Sequence, residues 1–309
     1  MYKKNKKKKY NIVAIGEILW DIFPKGKKLG GAPANFTYYT KQLGHCGTII
    51  SKIGRDVLGK EIIKSLHGLN LSTDYIQVDP VHPTGTVEVI LKSKSDPKYV
   101  IRENVAWDFI EMNNKLKILS KEVDVVYFGS LAQRNPISRN TIINFLNSVK
   151  QDTLIVFDIN LRPPFFNKEI IIDSLKLSSL LKINDKELLL LRKLLDYRFD
   201  NSELDFLKLL IKRFKIDLIC LTKGKSGSLL ATRNDYFLHP GFKVKISDTV
   251  GSGDAFTTAM VIGFLNRKSL REISEAANKL GSWVASKFGA TIKIDDNIKE
   301  KFFGFRRIV

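Results

Sequence analysis

The chain has 309 residues, 44% of them hydrophobic and 27% charged, and carries a formal net charge of +19. That balance fits one large domain with a buried core, and no apolar run approaches the ~20 residues that a membrane-spanning helix needs. The two cysteines, Cys46 and Cys220, exclude a disulfide framework and suit a reducing cytoplasm, and four histidines without cysteines at ligand spacing give no zinc signal.

Residues 1–10 form a basic segment, with lysine at six of the first nine positions, and are expected to be a disordered tail. No small-residue cleavage site follows, which argues against a signal peptide. The positive charge raises the question of nucleic-acid binding. No basic motif interleaved with aromatics occurs, and a lysine-rich composition along the whole chain accounts for the charge, so neither nucleic acid nor membrane is expected as a partner.

A strand over residues 11–16 opens a single domain expected to run to 309. Residues 18–29 break the pattern with extended character. A helix over 34–43, a strand over 47–52 and a helix over 58–66 follow. Residues 84–103 are again extended, with Thr86-Val87-Glu88-Val89-Ile90-Leu91 and Lys98-Tyr99-Val100-Ile101-Arg102 alternating around an Asp96-Pro97 turn. Beyond them come strands over 123–128, 153–158, 218–222 and 227–231, and helices over 138–149, 185–195, 202–214, 254–266 and 270–288. Short apolar strands between amphipathic helices predict an α/β fold with a mainly parallel sheet covered on both faces. The stretches 18–29 and 84–103 are expected to form a small β-sheet lid over a cleft.

Two segments imitate phosphate loops and fail on chemistry. In Gly54-Arg55-Asp56-Val57-Leu58-Gly59-Lys60-Glu61, the last position needs a magnesium-binding hydroxyl and holds a carboxylate instead. Gly224-Lys225-Ser226 lacks the first glycine, since Ile219 stands there. Nor is Gly251-Ser252-Gly253 a dinucleotide fingerprint, because Phe256 replaces its third glycine.

The segment Asp248-Thr249-Val250-Gly251-Ser252-Gly253-Asp254 leads from an extended run into an apolar helix. Its glycines let backbone N–H groups turn toward a ligand, and the helix N-terminus adds partial positive charge, a natural hole for a phosphoryl group. Asp254 falls in the first helical turn, within reach of a hydroxyl acceptor. Phosphoryl transfer passes through a loose transition state, so an ordinary carboxylate suffices as its base. The same residues also read as a helix cap after a glycine turn, and spacing alone does not separate the two. A second glycine element, Leu29-Gly30-Gly31-Ala32-Pro33-Ala34-Asn35, also precedes a helix, with Asp21 upstream, a carboxylate able to hold vicinal hydroxyls.

Taken together, these two elements are the ones that carry a resemblance. Gly30-Gly31-Ala32-Pro33-Ala34-Asn35-Phe36-Thr37 with Gly44 and Gly54, and then residues 248–254, match the two patterns of the ribokinase/PfkB carbohydrate kinases in the expected order. The resemblance spans roughly residues 11–294. One position departs from it: Thr258 stands where the family usually has a smaller residue, and is expected to tighten helix packing near the nucleotide.

The resemblance implies a ribokinase-like three-layer α/β/α fold, with ATP and Mg2+ as cofactors. It makes Asp254 the base toward a primary hydroxyl of a sugar and Gly251, Ser252 and Gly253 the anion hole. Thr222, Gly224 and Gly227 match the nucleotide-binding turn. Asn184 and Glu187 match the Asn-x-x-Glu motif that positions magnesium through water, and Asn278 an adenine- or ribose-side residue. Asp248, with the backbone near Val250 and Gly289-Ala290, matches a monovalent-cation site, with K+ as its ion. Asp21, Gly30, Gly31, Asn35 and Arg102 fall on the acceptor side. So do Asn160 and Arg162 of Asp158-Ile159-Asn160-Leu161-Arg162-Pro163, which together with Gly16-Glu17-Ile18-Leu19-Trp20-Asp21 is similar to the fructokinase branch. Fructose is therefore the expected acceptor. Glu103-Asn104-Val105-Ala106-Trp107-Asp108 departs from that branch and leaves 2-keto-3-deoxygluconate, ribose and, further off, nucleosides open. A basic nucleic-acid-binding protein that has lost catalysis is the rival outside the enzymes. Pairing through the lid implies a homodimer.

Overall fold

The first strand sets the plan. In β1 (Asn11–Ile15), Ile12 and Ala14 enter one core while Val13 and Ile15 enter another. A strand apolar on both faces must be covered on both, and a parallel sheet between two helical layers does this. The structure, a computed structural model, describes residues 8–91, 97–197, 202–295 and 297–299. Most of the basic tail, and Asp96 of the expected turn, lie outside the described residues.

After β1 come β2 (Leu19–Phe23), β3 (Gly26–Gly30), α1 (Ala32–Gln42), β4 (Cys46–Gly54), α2 (Val57–Gly68) and β5 (Ile76–Asp79). Then β6 (Gly85–Leu91) and β7 (Pro97–Ile101) lead through a short 3-10 turn, Ala106–Phe109, to α3 (Asn114–Leu119), β8 (Val125–Gly129) and α4 (Pro136–Ser148). Strand β9 (Leu154–Asp158), α5 (Lys168–Leu177), β10 (Leu180–Asn184), α6 (Asp185–Leu194) and α7 (Glu203–Phe214) follow. The chain closes with β11 (Leu218–Thr222), β12 (Ser228–Ala231), β13 (Tyr236–His239), α8 (Ser252–Leu265) and α9 (Leu270–Ala285).

The large sheet has the order β13-β12-β11-β10-β9-β8-β1-β4-β5, parallel from β5 to β11 and antiparallel at β12 and β13. Helices α1, α2, α8 and α9 pack on one face, and α3 to α7 on the other. The two lid stretches pair into a separate sheet of order β3-β2-β6-β7, as expected. Strand β3 runs almost directly into α1, so the lid is joined to that helix by Gly31 alone.

Several elements differ from expectation. Strands β5, β10 and β13 and helices α3 and α5 were not predicted, and the last helix stops at Ala285 rather than 288. Strand β10 escaped because Lys182 interrupts its apolar run, a charge that only a neighbouring strand could explain.

The chain leaves β1 in both directions, toward β4 and toward β8. Ligands in open α/β sheets bind outside the carboxyl ends of strands at such a reversal. Here Gly16 and Glu17 follow β1, Asp158 ends β9 and Asn184 ends β10, all at that edge.

Candidate active site

The N-terminus of α8 is shaped by glycine. Gly251, its cap, has φ of +77°, and a Cβ there would collide with the Ala290 backbone, so no other residue fits without displacement. In the first turn of this 14-residue helix the Ser252 amide donates to the Thr249 carbonyl at 3.2 Å, while those of Gly253 and Asp254 have no backbone acceptor among the described residues. A Cβ on Gly253 would meet nothing closer than the Lys182 ammonium, at 3.6 Å. Backbone donors and a lysine thus border a space that a side chain at 253 would fill. An anionic phosphoryl group suits that space.

Asp254 is the third residue of α8 and accepts a 2.8 Å hydrogen bond from Asn35 Nδ2 of α1. This contact joins the two glycine elements recognised in the sequence. Tyr39 of α1 donates to the Ala290 carbonyl at 2.8 Å, and Thr258 donates to the Phe36 carbonyl at 3.3 Å. The Thr258 hydroxyl also lies 2.8 Å from the Asp254 carbonyl of its own helix, so it sits in the packing of α8 against α1, consistent with the tightened helix packing expected of it. Burial and the nearby Asp158 raise the Asp254 carboxyl to about 6, against the pull of Asn35, Lys182 and Arg162.

Behind Asp254 lies a network that the sequence did not reveal. Asp158 and Lys182 are register partners on β9 and β10, and their side chains pair at 3.0 Å with almost no exposure. Thr257 of α8 and Tyr127 of β8 also donate to Asp158 Oδ2, at 3.2 and 3.4 Å. Burial pulls the Lys182 ammonium down, but Asp158 and Glu187 outweigh it and hold its pKa above the usual value. Lys182 remains a fixed cation.

At the residues expected on the acceptor side, Gly30 and Gly31 permit close approach of neighbouring chain. A Cβ on Gly30 would lie 2.5 Å from Asp21 Oδ2, and one on Gly31, at φ +110°, 2.5 Å from the Glu17 carbonyl. Glu17, also unpredicted, is buried and accepts from the Ala32 amide at 3.2 Å. Burial raises Glu17 to about 7 and Asp21 to about 6; Arg162 opposes both shifts and also acts on Asp254. Arg162 is exposed, and its charge bears on all three carboxylates; Asn160, two residues before it, has φ +38°. Arg102 is exposed; against burial, its charge adds to the hydrogen bonds from Thr84 and Gly59 that hold Asp56, at the start of α2, below the usual carboxylate range.

The expected nucleotide residues occupy the neighbouring strand ends. Asn184 and Glu187 form a reciprocal capping box on α6, at 2.9 and 2.8 Å, and Glu187 also accepts from the Leu161 amide at 3.1 Å. Thr222 donates to the Ile183 carbonyl at 3.3 Å. Gly224 and Gly227 have positive φ, and a Cβ on Gly227 would collide with the His239 carbonyl. Asn278 is buried, its amide nitrogen donating to Ser228 Oγ at 2.7 Å and the Ser274 carbonyl at 2.8 Å, so in this state it ties α9 to β12. Asp248 accepts from the amides of Val250 and Gly289, at 3.0 and 3.1 Å, and thereby joins two loops. Among the described residues, no group of three or more His, Cys, Asp or Glu side chains is arranged to hold a metal, and no helix is long and apolar enough to cross a membrane.

The raised carboxyls have a consequence for stability. Glu17, Asp21 and Asp254 have folded values of about 7, 6 and 6, above their unfolded values near 4. Between those limits the native state binds more protons, so ligand-free protein gains stability as pH falls from about 8 to about 5. Thermal midpoints across that range should rise toward acid, and Glu17→Gln should flatten the rise. A midpoint that falls monotonically below pH 8 would contradict the assigned environments.

A mainly parallel nine-stranded sheet, a four-stranded lid and a glycine-shaped helix entry at the strand ends define a ribokinase-like fold. The model of the pfkB family of carbohydrate kinases matches residues 25–297. The chain belongs to that family. It is 30% identical over 94% of its length to an uncharacterized sugar kinase, PH1459, of Pyrococcus horikoshii, 95% of which is covered. The ATP complex of PH1459 superposes with a TM-score of 0.77 at 29% identity, covering 91% of this chain and 94% of that one. An ATP-dependent 6-phosphofructokinase of Thermoanaerobacterium thermosaccharolyticum is 27% identical, covering 94% of this chain and 92% of its own. Fructokinase-2 of Zea mays is 26% identical, covering 90% and 89% respectively.

Proposed function

We propose that the protein transfers the γ-phosphoryl group of ATP to a primary hydroxyl of a small sugar, with fructose as acceptor. The observation that carries this reading is Asp254. It sits three residues into α8, beside a glycine-lined anion space, and is oriented by Asn35 from the helix that follows the lid. As a carboxylate it takes the proton from the attacking hydroxyl. Backbone donors of residues 251–254 and the Lys182 ammonium stabilise charge on the transferring group. Asp21 and Arg162, with Asn160, Gly30 and Gly31, hold and orient the sugar.

Thr222, Gly224 and Gly227 would receive ATP, with Asn278 at the edge of that site, and Asn184 and Glu187 would hold its Mg2+ through water. The ion would neutralise phosphate charge. Glu187 is held for this role by backbone amides on both its oxygens. Asp248 and the backbone near Val250 and Gly289, whose amides it accepts, would form the K+ site. Pairing of lids would give a homodimer.

The test is a set of initial rates with ATP and Mg2+ over fructose, mannose, ribose, 2-keto-3-deoxygluconate, adenosine and fructose phosphates. Fructose should show the highest kcat/KM. Activity on none of them, with salt-sensitive binding to DNA, would overturn the enzyme reading. A second reading, a phosphorylated acceptor, is favoured by the 6-phosphofructokinase relative, and preference for fructose 6-phosphate over fructose would establish it. In either case Asp21→Ala should raise the acceptor KM by about tenfold or more, as for a lost carboxylate–hydroxyl contact, and leave the KM for ATP nearly unchanged. The reverse pattern would place Asp21 on the nucleotide.

A further inference from the structure

Away from the glycine elements, one buried arginine touches three chain segments that no sheet ladder joins. Arg134 follows β8 and is 6% exposed; its partner Asp108 is 2% exposed. Its Nε and Nη2 donate to the two Asp108 oxygens at 2.7 and 2.8 Å, a bidentate pair. Nη2 also donates to the Arg102 carbonyl at 2.6 Å, where the chain returns from the lid. The guanidinium plane lies between two rings, 4.1 Å from the centre of Trp107 and 4.6 Å from that of Phe165. Phe165 belongs to the turn that carries Arg162, closed by its amide on the Arg162 carbonyl at 2.8 Å.

Stability alone does not account for such a group. A buried ion pair often contributes no more than apolar residues of equal volume. Arg134 moreover keeps a buried Nη1 without a hydrogen-bond partner among the described residues. What apolar residues would not supply is directionality: a planar cation can stack on two rings and bond a carboxylate and a carbonyl in fixed directions at once.

We infer that Arg134 is a positioning residue that couples the lid to the acceptor site, fixing the Arg102 segment and the Arg162 turn relative to one another. This rests on the reading above, in which Arg162 faces the sugar. Through Arg134, movement of one segment is transmitted to the other, so acceptor binding and lid placement form one event while the ATP side is untouched.

The experiment compares wild type with Arg134→Ala and Asp108→Asn. For Arg134→Ala, the acceptor KM should rise by about tenfold, equivalent to 1.4 kcal/mol, with the KM for ATP within about twofold. Beside Arg134 lies an open cavity of about 400 Å³ lined by Asn104, Asn135 and Phe165, through which a small cation can enter. Millimolar guanidinium should therefore restore the acceptor KM, and methylammonium at equal concentration should not. Equal rises in both KM values, or a loss that follows thermal stability and ignores guanidinium, would reduce Arg134 to a structural residue.

Hydrogen exchange separates this inference from the sugar-kinase reading, because it needs no turnover. Amides of 102–108 and 162–167 should loosen together in Arg134→Ala, those of 248–254 should not, and guanidinium should reverse the change. Loosening of one segment alone refutes the coupling even if sugars are phosphorylated. Joint loosening supports it even if the acceptor proves to be something else. Should Arg134→Ala fail to fold, Asp108→Asn, which keeps shape and one hydrogen-bond acceptor, carries the same exchange and KM comparison.

Discussion

Asp254→Asn should lower kcat by roughly 10²–10⁴-fold, the range for a positioned general base, while changing the KM of either substrate little. The amide keeps the side chain's size and can still meet Asn35, so the 2.8 Å contact does not have to be lost. It removes only the proton acceptor. The same substitution should stabilise ligand-free protein at pH 8. The native carboxyl is raised to about 6, chiefly by burial, so its ionised form disfavours folding above that pH. A neutral amide does not carry that penalty, and a gain of about 1–3 kcal/mol in urea unfolding is expected. In wild type, the acid limb of kcat/KM should fall with an apparent pKa near 6, belonging to the coupled Asp254–Glu17 set rather than to one group. A variant that keeps most of its activity would remove Asp254 from the chemistry. One that loses activity and stability together at pH 8 would point to a structural carboxylate.

Lys182→Met should be the most destabilising single change at the site. It leaves Asp158 buried with Tyr127 and Thr257 as its side-chain donors among the described residues, at 3.4 and 3.2 Å. Removing one partner of a buried pair typically costs about 3–5 kcal/mol, because the remaining charge is uncompensated. Adding Asp158→Asn to Lys182→Met should restore much of that loss. Activity should stay low in the double variant, since the ammonium that faces the Gly253 space is still missing. Denaturant midpoints and kcat measured on the same preparations separate the effects. If the single variant is as stable as the double, the pair has no special role in folding. If the double variant regains its rate, Lys182 does not act on the transferring group.

The parts of the site legible in the sequence are those built from backbone. Residues 30, 31 and 251 have no room for a side chain, and glycine at those positions already pointed to close backbone approach. Asp254 was legible because helix periodicity placed it in a first turn. Glu17 and Asp158 lay inside quoted segments without a role, and Lys182 was missed altogether. Each becomes meaningful only through a partner far along the chain: Ala32 for Glu17, and for Asp158 and Lys182 each other across β9 and β10. The clearest sign of Lys182 was a lone charge inside an apolar run. For Arg102, alternation placed it at the end of a lid strand, and only the fold brings its charge to bear on Asp56.

By itself the sequence determined the alternation of strands and helices, the two-faced burial of β1, the extended lid segments and the glycine entries to α1 and α8. These follow from periodicity and local sterics, which act over one or two turns of chain. Tertiary structure alone decided that Asn35 meets Asp254, that a Lys182–Asp158 pair stands behind the anion space, and that Arg134 bridges the lid and the Arg162 turn. Those contacts depend on strand register and helix packing between residues 24 to 219 positions apart, and they are set by burial of the whole core rather than by any local pattern.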